Sequence, residues 1–281
     1  MRNLPALVSP LLELSLTAGQ AIADHYHAPG ADQYQSKGDE SPLTQADLAS
    51  HDILEAGLHK ITPDLPILSE ESSDEDKAKR HDWSAFWMVD PLDGTKEFLA
   101  RTGEFTINIA LIDDHKPVLG LIYLPLTQQA FVGIPGQEAR VYQGPDWNYS
   151  ELVSRPLAQG SAMTVLASRR HRGPRLQSCL NWLEQHWGEL ERDNSGSALK
   201  FCQLAAGEGD FYPRYSPCCE WDTAAGQALL EAAGGALLGL DGSPLRYNER
   251  DTLLSPDFLA MGDPANPLWV QLLASGVGLS E

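Results

Sequence analysis

Asp90 and Asp93 stand three positions apart in Trp87-Met88-Val89-Asp90-Pro91-Leu92-Asp93-Gly94-Thr95-Lys96-Glu97-Phe98, where the apolar run 86–89 ends. Two carboxylates delivered from a buried strand suit a hard cation such as Mg²⁺, which takes oxygen ligands and keeps waters and substrate oxygens. The residues around them favour that use. Pro91 has no N–H for a ladder and is expected to end the strand. Gly94 permits a turn that a side chain would resist. Thr95 is expected to cap the helix that follows, leaving amide N–H groups as a seat for phosphate. The plainer alternative is a surface turn, since Asp, Pro and Gly collect in turns for steric reasons alone. It accounts poorly for a second Asp closing a hydrophobic strand, where an unpaired charge is costly.

Other acidic groups occupy comparable contexts. Glu70 and Glu71 follow the short strand expected over 66–69, and Asp222 opens the helix expected over 223–233. Asp47 sits in the first turn of a helix whose N-cap is Thr44, at the capping-box position. Each has an ordinary explanation. Acidic residues in a first turn interact well with the helix dipole, and Glu70-Glu71 could belong to a solvated acidic loop with Asp74, Glu75 and Asp76. Two cations stand out in the second half. Ser197 reads as an N-cap and Lys200 as a first-turn residue, the unfavourable end for a cation. A phosphate bound there would remove the conflict, and Arg214, after Tyr212-Pro213, could grip the same group bidentately. The alternative is a pair of ordinary surface cations.

The elements that must position these groups divide the chain in two. Helical spacing covers 4–26 and 44–60, joined by a polar connection over 30–38, and 72–82 is expected to be a charged, solvated loop. Strands are expected over 105–112, 118–124 and 130–132, with Asp113-Asp114-His115-Lys116-Pro117 as a hairpin-like link. That is two helices over a largely antiparallel sheet. A Gly/Pro-rich polar stretch over 143–160 marks a boundary. Beyond it strands (165–167, 211–212, 237–238, 258–261) alternate with helices (175–187, 197–206, 223–233, 266–274), which favours α/β. With 281 residues and 42% hydrophobic content, the chain has ample material for a core. A net charge of −19 argues against general binding to nucleic acid or anionic lipid. Cys179, Cys202, Cys218 and Cys219 form no C-x-x-C pair and are read as reduced thiols. No signal peptide is evident, and no run approaches the roughly 20 apolar residues of a transmembrane helix.

Taken together, a set of segments resembles the magnesium-dependent, lithium-sensitive phosphomonoesterases related to inositol monophosphatase, and within them the 3'(2'),5'-bisphosphate nucleotidases of the bacterial CysQ type. The segments are Ser41-Pro42-Leu43-Thr44-Gln45-Ala46-Asp47, Leu68-Ser69-Glu70-Glu71, residues 89–98, 103–110 and 196–201, Tyr212-Pro213-Arg214 and residues 221–226, in family order over nearly the whole chain. The resemblance implies a layered α-β-α-β-α fold (an α/β, or α+β, arrangement). Residues 1–155 would carry the metal motif and residues 156–281 would complete the site and bind the nucleotide. It implies two or three Mg²⁺ ions. Glu70, Asp90 and the Leu92 carbonyl would hold one, and Asp90, Asp93 and Asp222 another. Asp47 and Thr95 would orient or deprotonate water, with Glu71 holding Thr95. Substrate would lie against Glu70, Leu92, Asp93, Gly94, Thr95, Ser197, Lys200, Arg214 and Asp222. The implied reaction is hydrolysis of the 3'-phosphate of adenosine 3',5'-bisphosphate in sulfur assimilation, by a monomer or homodimer that binds no nucleic-acid polymer. The implied place is the cytoplasm, with a peripheral position at the inner membrane as the alternative. Cys218 and Cys219 depart from the pattern and are read as packing. The alternatives are an inositol or sugar phosphatase with the same metal chemistry, and a non-catalytic cation- or nucleotide-binding protein. A pure binder would have no need of Asp47, Thr95 and Glu71.

Overall fold

The computed structural model describes residues 2–29, 33–36, 42–168 and 173–278. Ser41 and most of the 30–38 connection lie outside them. Helix α1 (Pro5–His27) buries the stripe Val8, Leu11, Leu12, Ala18 and Ile22. A short antiparallel pair, β1 (Gln35–Ser36) and β2 (Pro42–Leu43), leads into α2 (Gln45–Ile61). There Thr44 accepts from the Ala46 and Asp47 amides while Asp47 accepts from the Thr44 amide, so the capping box forms as its spacing predicts. Helix α1 also corrects the sequence reading: an 18-residue stretch of it has a mean hydropathy of 1.3, so by length and composition it is long and apolar enough to cross a membrane. In this fold its apolar stripe packs with α2 onto a sheet, the role of a core helix.

That sheet has the order β3-β4-β5-β6-β7-β8-β9. It begins with β3 (Ile67–Ser69), followed in the chain by α3 (Asp74–Ala78) and β4 (Ala85–Asp93). After α4 (Thr95–Leu99) come β5 (Thr106–Asp113), β6 (Lys116–Leu124), β7 (Gln129–Ile134), β8 (Glu138–Gln143) and β9 (Asn148–Glu151). Only β3 and β4 are parallel in this sheet. Asp114 and His115 link β5 to β6 with φ of 48° and 64°, the left-handed pair a two-residue hairpin needs.

Three expectations are corrected here. Strand β4 passes through Pro91: Asp90 pairs with Asn108 and Asp93 with Thr106, so three steps on β4 match two on β5. This bulge is where a sheet tolerates proline, because the missing N–H falls outside the ladder. The segment 72–82 is α3 followed by a 3₁₀ turn, Lys79–Asp82, with Arg80 buried. Strands β8 and β9 extend the sheet into the expected boundary; β9 is an exposed edge and carries no apolar alternation to betray it.

The second half contains β10 (Met163–Ala167), α5 (Pro174–His186), β11 (Leu190–Asn194), α6 (Leu199–Ala205) and β12 (Phe211–Arg214). Then follow a 3₁₀ turn (Glu220–Asp222), α7 (Ala224–Ala232), β13 (Ala236–Gly239), β14 (Phe258–Met261) and α8 (Leu268–Ala274). Its sheet runs β11-β10-β12-β14-β13. The polar edge strand β11 is absent from the sequence reading for the same reason as β9. Three apolar clusters define the layers. The α1–α2 side of the first sheet contributes Trp87, Ile107 and Leu121. The space between the sheets holds Met88 and Ile122 with Phe201, Leu229, Tyr212 and Phe258. The outer face of the second sheet packs Val165 and Phe211 on Leu180, Leu183, Trp269 and Leu272. The order is therefore α-β-α-β-α. Helix α7 lies so close to the first sheet that its backbone occupies the space a Cβ would need at Gly120 and Gly133, which face each other on β6 and β7.

Candidate active site

Strand alternation aims the site. On β4, Phe86 and Met88 face the middle layer while Trp87 and Val89 face α1 and α2. Period-two geometry therefore turns Asp90 toward the second half. The bulge after it brings Asp93 to the same region. The turn Glu220–Asp222 approaches from the other side, so Asp90, Asp93 and Asp222 each offer an oxygen within 4.8 Å of the others. Asn108 donates to Asp93 Oδ2 at 3.3 Å, the Leu92 amide to Asp90 Oδ1 at 3.0 Å and the Cys219 amide to Asp222 Oδ2 at 2.9 Å.

These bonds do not neutralise the cluster. Burial is the first cause raising the Asp90 carboxyl, and the charges of Glu70, Asp93 and Asp222 add to it. Burial likewise pushes Asp222 up to about 7, reinforced by Asp93 and Glu70 and opposed by Arg214. Asp93 is raised by burial against the pull of Lys200 and Arg214. Converging, all-oxygen donors whose ionised forms repel one another fit a hard divalent cation, which supplies the missing positive charge.

Beside the cluster, Asp47 is buried and held by Thr44, whose amide and hydroxyl donate to Asp47 Oδ2 at 2.8 and 2.5 Å. Burial, with like charge from Glu71 and Glu70, pushes its carboxyl up to about 6. The Thr95 hydroxyl donates to Asp47 Oδ1 at 3.2 Å and lies 3.3 Å from the Leu92 carbonyl. Thr95 is thus not the cap of α4. That position belongs to Gly94, with φ of 93°, where an added Cβ would stand 3.0 Å from the Glu104 carbonyl and 3.2 Å from Ser197 Cβ.

A cleft of about 330 Å³ collects Glu70, Asp90, Leu92, Asp93, Gly94, Thr95, Arg214 and Asp222. Ser197 and Lys200 are not on its lining. Ser197 has φ of 42° and is not the cap of α6, which is Ala198. Lys200 is 2% exposed, and its ammonium donates to the Ser195 and Ser197 carbonyls at 3.0 and 2.7 Å. The dipole conflict is therefore relieved by carbonyls of its own loop. Burial and the Arg214 charge lower its pKa to about 8, against the pull of Asp93, Glu97 and Glu104. Arg214 is half-buried and donates to the Ser216 carbonyl, Tyr212 hydroxyl and Pro217 carbonyl. Neither residue is an ordinary surface cation.

The inositol monophosphatase family matches residues 6–268. The chain belongs to that family. It is 39% identical over 252 residues to 3'(2'),5'-bisphosphate nucleotidase CysQ of Salmonella typhimurium, covering 90% of this chain and 98% of that protein. The crystal structure of CysQ from Bacteroides thetaiotaomicron superposes with a TM-score of 0.77 at 36% identity, covering 91% of this chain and 97% of that one. An IMPase from Thermotoga maritima shares the fold at a TM-score of 0.75 and 18% identity, over 96% of this chain and 97% of that one. Family membership and the acidic cluster agree on metal-dependent chemistry.

Several residues in or behind the cleft are not assigned to the site by the sequence reading. Asn108, which steadies Asp93, carried a signal: it is a polar residue inside the apolar strand Ile107-Asn108-Ile109. Cys218 and Cys219 line the cleft with Trp221 and Leu254, and burial pushes the Cys218 thiol up to about 12. Leu254 comes from a loop with no periodic pattern, and a β-bridge with Cys219 brings it there.

Proposed function

We propose that this chain hydrolyses the 3'-phosphate of adenosine 3',5'-bisphosphate to AMP and phosphate. The observation that carries the reading is one cleft holding both the carboxylate cluster and the half-buried Arg214, in a chain so similar to bisphosphate nucleotidases. Glu70, Asp90 and the Leu92 carbonyl would hold one Mg²⁺, and Asp90, Asp93 and Asp222 a second; residues 1–155 supply most of this set and residues 156–281 complete it. When bound, the ions neutralise phosphate oxygens and lower the pKa of water.

The chain's own residues do the rest. Asp47 accepts the proton of the attacking water through the Thr95 hydroxyl, and its raised carboxyl makes it a better acceptor than an exposed aspartate. Water oxygen bonds to phosphorus as the bond from phosphorus to the 3' oxygen breaks, and a proton from solvent completes the departing hydroxyl. Arg214 holds the unreacting 5'-phosphate, so that its binding energy positions the reacting group. Phosphate release from adenosine 3',5'-bisphosphate, inositol monophosphate and fructose bisphosphate tests the reading. Preference for the nucleotide is expected, and preference for either sugar phosphate would overturn it.

A further inference from the structure

Glu70 and Asp222 reach the cluster from separate segments, one at the end of the three-residue edge strand β3 and the other in a 3₁₀ turn of the second half. Their carboxylates repel, so something else must set the gap between them. The segment 74–82 spans it. Lys77 Nζ donates to the Glu70 carbonyl at 2.6 Å and stands 5.4 Å from the ring centre of Trp221, the neighbour of Asp222. Three residues on, buried Arg80 donates to Asn248 Oδ1 at 2.6 Å and to the Arg250 and Asp251 carbonyls at 2.9 and 2.6 Å. Asn248 returns a bond to the Arg80 carbonyl at 2.7 Å, and its amide donates to Glu220 Oε2 at 2.7 Å. Glu220 is 1% exposed and begins the turn that ends in Asp222. Two cations on one short segment thus tie the backbone of the Glu70 arm to both residues preceding Asp222.

We propose that Lys77 and Arg80 are positioning residues that preset the spacing between Glu70 and Asp222, and so set how tightly the site takes a divalent cation. The inference rests on the proposed metal site but not on the identity of the substrate. Charge and position here predict opposite signs. Deleting a cation beside an acidic cluster should by itself tighten Mg²⁺ binding. Loss of a positioning bond should weaken it, because the arm relaxes under the repulsion and must be drawn back on binding.

The test is calorimetric titration of Mg²⁺ into the full chain carrying Lys77→Met, Lys77→Arg or Arg80→Lys, with melting curves in EDTA. Methionine keeps the stem over Trp221 and loses the bond to the Glu70 carbonyl. Lys77→Met is expected to raise the Mg²⁺ dissociation constant about tenfold, the scale of one charge-assisted bond. Its Tm in EDTA is expected to stay within about 2 °C of the parent. Lys77→Arg should recover much of the affinity, and charge-conserving Arg80→Lys should weaken binding. Unchanged or tighter Mg²⁺ binding by Lys77→Met overturns the proposal. So does a lowered Tm with unaltered affinity, which would make the segment merely structural. A parent chain that binds Mg²⁺ but releases no phosphate would refute the proposed function and leave this inference standing.

Discussion

Replacing Arg214 by methionine tests the substrate assignment most directly. Its guanidinium has five N–H donors, and three of them go to Ser216, Tyr212 and Pro217 at 3.3, 3.2 and 3.1 Å. One N–H therefore remains on each terminal nitrogen, enough for a bidentate grip on phosphate. Loss of charge-assisted bonds of this type costs about 1.5–3 kcal/mol, or roughly ten- to hundredfold in kcat/KM. The loss should be seen with adenosine 3',5'-bisphosphate and nearly vanish with 3'-AMP, which lacks the remote group. Assays belong at saturating Mg²⁺, because Arg214 opposes the rise of the Asp93 and Asp222 carboxyls and its removal also alters the metal site. Lys200→Met is the contrast: its buried ammonium gives two of its three donors to the Ser195 and Ser197 carbonyls and lies off the cleft lining, so both substrates should suffer alike. Equal losses on the two substrates for Arg214→Met would refute the assignment of Arg214 to the 5'-phosphate.

Asp93→Asn and Asp222→Asn should each abolish most turnover and weaken Mg²⁺ in calorimetry while preserving or raising the Tm in EDTA, since each relieves buried like-charge repulsion; intact metal affinity in both would remove them from the ligand set. The pH dependence has a definite sign. Asp47 and Asp222 stand near 6 and 7 in the folded chain against an ordinary 3.8, so between pH 4 and 7 the folded state binds more protons than the unfolded one. Their contribution to metal-free stability is therefore present at low pH and lost as pH rises through that window. Melting in EDTA should show Tm falling toward pH 7.5, with a shallower fall in Asp222→Asn; identical slopes would contradict the assignment. Li⁺, close to Mg²⁺ in size with half its charge, should inhibit phosphate release at concentrations where Na⁺ and K⁺ do not, and indifference to Li⁺ would count against the proposed metal site.

Much of this site could be read along the chain because its parts obey local rules. The capping box at Thr44 and Asp47 needs only the i to i+3 spacing of one helix turn. Carboxylates at a strand end are conspicuous because burial leaves them so few ordinary uses. The alternation of the two halves, and the resemblance carried by motifs in a fixed order, led to the layered fold. Local rules also misled where tertiary structure overrode them. Pro91 would end an isolated strand, yet a bulge against β5 accommodates it. Ser197 and Thr95 have good capping side chains, but Ala198 and Gly94 take those positions because the loop against Glu104 dictates the backbone.

What no local pattern contained was the set of contacts between the halves. The charged stretch 72–82 looked solvated because charge normally pays to stay in water. Asn248 and the 250–251 carbonyls, some 170 residues away, give buried Arg80 its bonds, and the Glu220 charge supports it. Lys200 is the same case, a cation whose burial depends on two carbonyls of its own loop and on acidic neighbours from the other half. The sequence by itself determined which oxygen donors are candidates for a metal site, because oxygen donors at strand and helix ends are a matter of residue type and spacing. Tertiary structure alone decided which of them meet, since the energy of a buried charge depends on partners that sequence separation does not reveal.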